Sequence, residues 1–212
     1  MALAPVYLPV VRPRSWNGDA LVNGKLGPCD LRAVYFPGVG NLDLFPTAAE
    51  SFQWMQILCK QETGCDLSGT GAFRSYIQQV TVFLQRYTST FDPDVNVSYG
   101  TRTWNGVKYY LRRNHMPVAT PGTSNHGLGI AVDCGWFDGW NAPGLTDIDH
   151  VQNATYRKGW EWLLANYQSF GWSHEGAKPG QPGYEAHHIR YVLGNSRSQR
   201  VTDIRKFLGV KD

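Results

Sequence analysis

The chain has 212 residues, 42% hydrophobic and 13% aromatic, which is enough apolar material for one sizeable core and short of what two full domains need. A formal net charge of +3 without runs of Lys or Arg gives no reason to expect a nucleic-acid partner. No stretch reaches the ~18 consecutive apolar residues of a membrane-spanning helix, and the start from Met1 to Arg12 is broken by prolines and lacks a basic leader, so neither membrane insertion nor a signal peptide is expected.

Residues 1–46 are rich in Pro and Gly and show no helical period, which predicts an extended, loop-rich arm wrapped around a domain at 47–212. Thr47-Ala48-Ala49-Glu50 has the form of a capping box and predicts a first helix starting at Thr47, with Phe52, Met55 and Cys59 inward and Gly64 as its stop. The apolar stripe Tyr76, Val80, Phe83, Leu84 and Tyr87 predicts a second helix that leaves Arg74 just before its N-terminus. Thr101 to Trp104 and Val107 to Tyr110, joined by Asn105-Gly106, predict a hairpin with a type I′ turn lying close to the functional site.

Gly129-Ile130-Ala131-Val132 reads as a short buried strand, and the glycine-rich stretch 135–144 with Trp136, Phe137 and Trp140 reads as an aromatic loop. A third helix is expected over 154–170, with Tyr156, Trp160, Leu163, Leu164 and Tyr167 inward and Gly171 ending it. Lys178 to Gly183 predicts a turn into a strand at 189–193, and Val201, Ile204, Phe207 and Leu208 predict a short closing helix. The four cysteines, Cys29, Cys59, Cys65 and Cys134, have no Cys-x-x-Cys pairing and are too few for a disulfide scaffold or a structural zinc site; Cys59 and Cys65 are close enough in sequence to bridge if oxidised.

The chemistry concentrates in Ser124-Asn125-His126-Gly127-Leu128-Gly129-Ile130-Ala131-Val132-Asp133. His126 offers an imidazole and Asp133 a carboxylate, the two being joined through glycines that let the backbone pass from a loop into a strand. A catalytic zinc needs a third N or O ligand, an open position for water and a nearby carboxylate to take the water's proton; Glu185-Ala186-His187-His188 supplies both residue types. His115, His150 and His174 have no partner at ligand spacing and read as satisfied surface or loop histidines.

Ser-x-His-x-x-Gly-x-Ala-x-Asp followed by Glu-x-x-His resembles the M15 zinc peptidases, which include D-alanyl-D-alanine carboxypeptidases and dipeptidases and phage L-alanyl-D-glutamate endopeptidases. Gly71 to Gln79 resembles the family's Arg-Ser-Tyr-x-x-Gln element, and the likeness spans roughly residues 47 to 195. The resemblance implies a compact α+β, DD-peptidase-like fold with a central antiparallel sheet and flanking helices. It implies Zn²⁺ held by His126, Asp133 and one of the adjacent histidines; the family has tryptophan where this chain has His187, and register favours His188. Glu185 would then be the general base and Arg74 the group that polarises the scissile carbonyl, with Ser124, Gln78 and His187 contacting substrate.

The expected activity is hydrolysis of a peptide bond in the peptidoglycan stem, by a carboxypeptidase or an endopeptidase. Without an export signal, a phage lysin released through a holin or carried in a virion or tail is expected. The alternative is a non-catalytic cell-wall-binding or structural tail module on the same fold. Glu185 discriminates between them, since a binding module needs no base.

Overall fold

The computed structural model describes residues 7–15, 17–136, 154–175, 185 and 187–211. It is an α+β structure whose described strands all pair antiparallel. β1 (Arg32–Phe36) and β2 (Gly40–Leu44) form a hairpin; β3 (Leu67–Gly71), β7 (Ala131–Trp136), β9 (His188–Tyr191) and β8 (Trp172–His174) form the central sheet in that order; β4 (Tyr87–Thr88), β6 (Val107–Leu111) and β5 (Arg102–Trp104) form a small third sheet. The helices are α1 (Pro46–Thr63), α2 (Tyr76–Arg86), α3 (Ala154–Asn166) and α4 (Gln199–Phe207). Among the described residues no helix is long and apolar enough to cross a membrane.

The main core lies between the central sheet and α1. Phe52 of α1 stacks on Phe36 at 5.0 Å between ring centroids and meets the edge of Trp172 at 5.7 Å. All three rings are fully buried, each contributing roughly 1.5–3 kcal/mol on the scale of apolar transfer. Met55 and Cys59 continue the same buried face, as the sequence predicts, and Gly64 ends the helix in the left-handed region at φ 79°.

The N-terminal end of α1 differs from expectation. Pro46 occupies the first helical position, where its missing N–H costs nothing, and no side chain caps the helix. Thr47 instead donates its hydroxyl to the Gly194 carbonyl at 2.7 Å, and Glu50 is drawn to Arg197 and Arg205 of the C-terminal region. Both capping-box residues are thus claimed by tertiary partners.

The stretch before α1 is also more regular than predicted, because residues 32–44 form the β1–β2 hairpin and bury Val34, Phe36 and Leu44. Residues 7–31 do wrap the core, through a parallel bridge from Val11 to Leu193 and through Gly24, whose N–H reaches the Gly127 carbonyl at 2.6 Å. On α2, Leu84 is exposed rather than inward, and Gln79 and Phe83 are the buried positions. On α4 only Val201 is fully buried; Phe207 and Leu208 are exposed, contrary to the predicted stripe.

The hairpin β5–β6 turns at Asn105 (φ 49°) and Gly106 (φ 76°), both in the left-handed region that a type I′ turn requires. Its rings pack on α2 in a second small cluster, with Phe83 stacked on Tyr87 at 4.7 Å and edge-on to Tyr109 at 5.1 Å. α3 runs on as a 3-10 turn, Tyr167–Phe170, before Gly171 (φ 87°) turns the chain into β8. The aromatic loop after Trp136, His150 and the turn at 178–183 lie outside the described residues.

Cys59 and Cys65 are both buried and no disulfide joins them; burial pushes the Cys59 thiol up to about 12, and burial raises Cys134 as well, which keeps both thiols protonated and inert.

Candidate metal centre and cleft

The centre is built where β7 and β9 pair. Asp133 and His188 are direct cross-strand partners, so the antiparallel ladder alone places their side chains side by side on one face. The face is fixed by packing, because Val132 and Ile189, one step along each strand, are fully buried in the core and a one-residue slip would invert them.

His126 comes from a single 3-10 turn, Asn125–Leu128, that precedes β7 and closes at Gly129 with φ 65°. A side chain at Gly127 would collide with Asn23 and the backbone of Gly24, so glycine permits the N-terminal arm to lie against this turn. Asn23 in return donates its Nδ2 hydrogen to the Ser124 carbonyl at 2.6 Å. Arg74 N–H reaches the His126 carbonyl at 3.1 Å, so the turn also fixes the start of α2.

One oxygen, Asp133 Oδ1, lies 2.9 Å from His188 Nδ1 and 3.4 Å from His126 Nε2. The donor atoms of the three residues all fall within 4.8 Å of one another. The other nitrogen of each imidazole is held from behind: His126 Nδ1 is 2.6 Å from the Ala72 carbonyl, and His188 Nε2 is 2.8 Å from Glu175 Oε2. A ring whose rear nitrogen bonds an acceptor presents its front lone pair to a cation, and this is how proteins orient metal-binding histidines. The donor set, two imidazole nitrogens and one carboxylate oxygen with an open side to a cleft, therefore fits a divalent metal.

The electrostatics point the same way. Burial tends to raise the Asp133 carboxyl, but the charges and hydrogen bonds of His126 and His188 hold it well below the usual carboxylate range. Burial by itself would lower His188, yet Asp133 and Glu175 on its two sides raise it to about 10. Burial likewise works to raise Glu175, and the His188 hydrogen bond, the His188 charge, Asn125 and Arg190 bring it down to about 2. The centre is thus arranged to attract positive charge, which a proton supplies until a cation displaces it.

A cleft of about 470 Å³ opens at this centre, lined by His126, Asp133, Glu175, Glu185, His187, His188, Ser124, Arg74, Arg86 and Arg102 among others. Glu185 lies in the turn before β9, its carbonyl accepting the His188 N–H at 3.1 Å, which resolves how it and His188 share a site though three residues apart at a strand. His187 lines the cleft outside the three-donor group, and its carbonyl continues the ladder to Cys134 N–H at 2.8 Å. Arg74 donates from Nη1 to Gln79 Oε1 at 3.0 Å, and Gln79 in turn donates to the Ala119 carbonyl at 2.7 Å.

Gln78 does not line the cleft. Its side chain folds back onto the Ser75 N–H at 2.8 Å and caps α2. The pattern Ser-x-x-Gln at Ser75 to Gln78 is itself a capping-box signal, so the sequence held the information that Gln79 is the residue turned toward Arg74. His174 is a buried β8 residue, with Nδ1 3.2 Å from the Tyr167 hydroxyl, and is not a surface or loop histidine. Glu175, one position further on, is the site residue that carries no sequence signal: it follows no motif, and only the β8–β9 pairing brings it behind His188.

A family model described as VanY, D-alanyl-D-alanine carboxypeptidase, matches residues 41–194. No curated protein matches the chain. Among solved structures it is similar to DacB from Streptococcus pneumoniae D39, at 18% identity over 88% of this chain and 95% of that one, with a TM-score of 0.45. A mutant of the D,D-pentapeptidase VanY from a VanB-type resistance cassette, in complex with Zn(II), matches at 18% identity over 88% and 92%, with a TM-score of 0.46. The D,D-dipeptidase VanXYg, in complex with a D-Ala-D-Ala phosphinate analog, matches at 19% identity over 89% of this chain and 66% of that one, again with a TM-score of 0.46.

Proposed function

Because the chain belongs to the VanY family of D-alanyl-D-alanine carboxypeptidases, we propose that its cleft hydrolyses a peptide bond of the peptidoglycan stem with zinc held by His126, Asp133 and His188. The observation that carries this reading is the placement of Asp133 Oδ1 between two imidazole nitrogens whose rear nitrogens are both occupied, at the edge of a cleft that also contains a carboxylate outside the three-donor group, Glu185. Zinc at such a site supplies Lewis acidity toward a water and toward a peptide carbonyl.

The chain's own residues do the rest. Glu185 receives the proton of the attacking water and returns it to the leaving amine. Arg74, its guanidinium steadied by Gln79, holds the scissile carbonyl and stabilises the oxyanion as it forms. Ser124 and His187 line the cleft and are read as substrate contacts, Ser124 also opening the turn that carries His126. The finer reading, a phage-type lysin delivered through a holin or on the virion, is compatible with the motifs, which the family's bacterial carboxypeptidases and phage endopeptidases share.

Glu185→Gln tests the mechanism. The variant is expected to keep its zinc and its fold while hydrolysis of purified peptidoglycan falls by about 10²- to 10⁴-fold, the range of general-base catalysis. Mass spectrometry of the wild-type products decides the bond: released D-alanine marks a carboxypeptidase and a divided stem an endopeptidase. A zinc-loaded wild type that releases neither from any peptidoglycan chemotype would put a binding module in place of the enzyme.

A further inference from the structure

The cleft carries more positive charge than this chemistry uses. Arg86, at the last position of α2, and Arg102, at the first position of β5, both line it and both are half-buried. Among the described residues neither forms an ion pair. Arg86 Nη1 donates to the Met116 carbonyl at 3.1 Å, and Arg102 Nη1 donates to the Thr101 carbonyl at 3.2 Å. A guanidinium has about five N–H donors in a planar fork, so each arginine is fixed by one backbone carbonyl and keeps the rest of its fork for another acceptor.

The carboxylates of the cleft are already committed. Asp133 lies between the two imidazoles, Glu175 is shared by His188 and Arg190, and Glu185 is the proposed base. Arg86 is also near enough to act on Arg74, whose pKa is lowered first by burial and further by the Arg86 charge, against the pull of Asp133 and Glu185. Half-buried guanidinium groups without a counter-ion leave the cleft wall positive, and an anion that enters is bound through short, charge-assisted hydrogen bonds.

Placement argues for a built feature over two stray surface residues. Arg86 is set by the end of α2 and Arg102 by the hairpin, and the ring cluster of Phe83, Tyr87, Trp104 and Tyr109 locks that helix and that hairpin together. Arg86 acts on Arg74 by its charge, so the pair lines the same cleft as the group proposed to hold the scissile carbonyl. The cleft, at about 470 Å³, is within the ~300–1,000 Å³ typical of small-ligand pockets.

We propose that Arg86 and Arg102 form an anion subsite that binds a second carboxylate of the substrate, remote from the bond being cut. The inference rests on the peptidase reading above and names what that reading leaves open, a substrate recognised by an acidic group. That carboxylate is a side-branch carboxylate of an acidic or diamino-dicarboxylic residue within the peptide, and the free C-terminus, which adjoins the bond cut by a carboxypeptidase, is the rival source to be excluded.

Four synthetic stem pentapeptides separate them, with the side-branch carboxylates free or amidated and the C-terminus free or amidated. Wild type and Arg86→Gln, Arg102→Gln and the double variant are compared on each, with Arg→Lys at both positions keeping the charge without the fork. The expected result is a rise in KM of about 10- to 100-fold, with kcat little changed, when either the arginines or the recognised carboxylate is neutralised, and little further loss when both are. Non-additivity with the side-branch amides supports the subsite, and non-additivity with the C-terminal amide alone overturns it in favour of the terminus. Equal losses on all four peptides, or no loss, overturn the subsite. Should wild type cleave none of them, the peptidase reading fails instead, and calorimetric binding of the same peptides to the Glu185→Gln protein decides the subsite by the same criterion.

Discussion

Replacing Glu175 by Ala is expected to weaken zinc binding although Glu175 is not a ligand. Its Oε2 accepts from His188 Nε2 at 2.8 Å, and that bond turns the opposite nitrogen toward Asp133 at 2.9 Å. The His188 side chain is only 10% exposed, so a rear N–H without a partner would cost about 1–3 kcal/mol, or roughly 5- to 150-fold in affinity. Glu175 is 39% exposed, and water entering its place recovers part of the loss. About tenfold is therefore expected, at the lower end of the ~10- to 100-fold seen when the outer partner of a metal-binding histidine is removed. Glu175→Gln keeps an acceptor and is expected within about threefold of wild type. Competition against a chromophoric zinc chelator reads the affinity, and Arg190→Gln controls for the weaker contact from Arg190 to Glu175 at 3.6 Å. An alanine variant that binds zinc as tightly as wild type would refute the account of how His188 is held.

Glu50 clamps α1 to the C-terminal region through Arg197 and Arg205, each at 2.7 Å. Burial tends to raise its carboxyl, but the two guanidinium groups bring it below the ordinary value. The folded pKa being depressed, the stabilisation is fully present above the ordinary glutamate value and is lost as pH falls below it through the depressed folded value. Glu50→Gln is expected to lower stability by about 1–3 kcal/mol at neutral pH, seen as a Tm lower by about 2–12 °C in thermal melts. That gap should close toward pH 3, and a constant gap would sink the assignment. Gly71 and Gly69 lie on opposite sides of a bulge in β3 and are expected to fail differently. A Cβ at Gly71 would meet Asp133 Oδ2 at 2.6 Å, so Gly71→Ala should lower zinc affinity with the fold retained. A Cβ at Gly69 would meet the Asp133 backbone carbonyl at 2.6 Å, so Gly69→Ala should lower Tm first; equal zinc affinity in Gly71→Ala and wild type would contradict this.

The parts of this molecule that could be read from sequence are those whose cause is local. Asn105-Gly106 announced its turn because both residues tolerate positive φ, and Gly64 and Gly171 announced helix ends for the same reason. His126 and Asp133 were legible because loop, glycines and strand follow one another without interruption. Where a competing partner lies far along the chain, the local pattern misleads. Thr47 and Glu50 have the spacing of a cap, but Gly194, Arg197 and Arg205 claim them. Ala33 to Phe36 lacks polar alternation, so a strand that buries only Val34 and Phe36 was indistinguishable from an apolar loop. Glu175 lay beyond reach altogether, since its role is created by the pairing of Trp172–His174 with β9.

The same distinction explains how the three residues proposed to hold the metal are positioned. Asp133 and His188 need no adjustment beyond strand pairing, because the ladder sets their separation and buried neighbours forbid a slip. His126 has no such ladder. Its position depends on a turn pressed between the arm at Asn23 and Gly24 and the start of α2, where Gly24 accepts from Tyr76 N–H at 2.8 Å and His126 accepts from Arg74 N–H at 3.1 Å. The arm thus ties the third proposed ligand and the arginine proposed to face substrate to one backbone framework. Arg74 and His126 must move together or not at all, and a segment that contributes no ligand fixes the distance between the metal centre and the group expected to hold the scissile carbonyl.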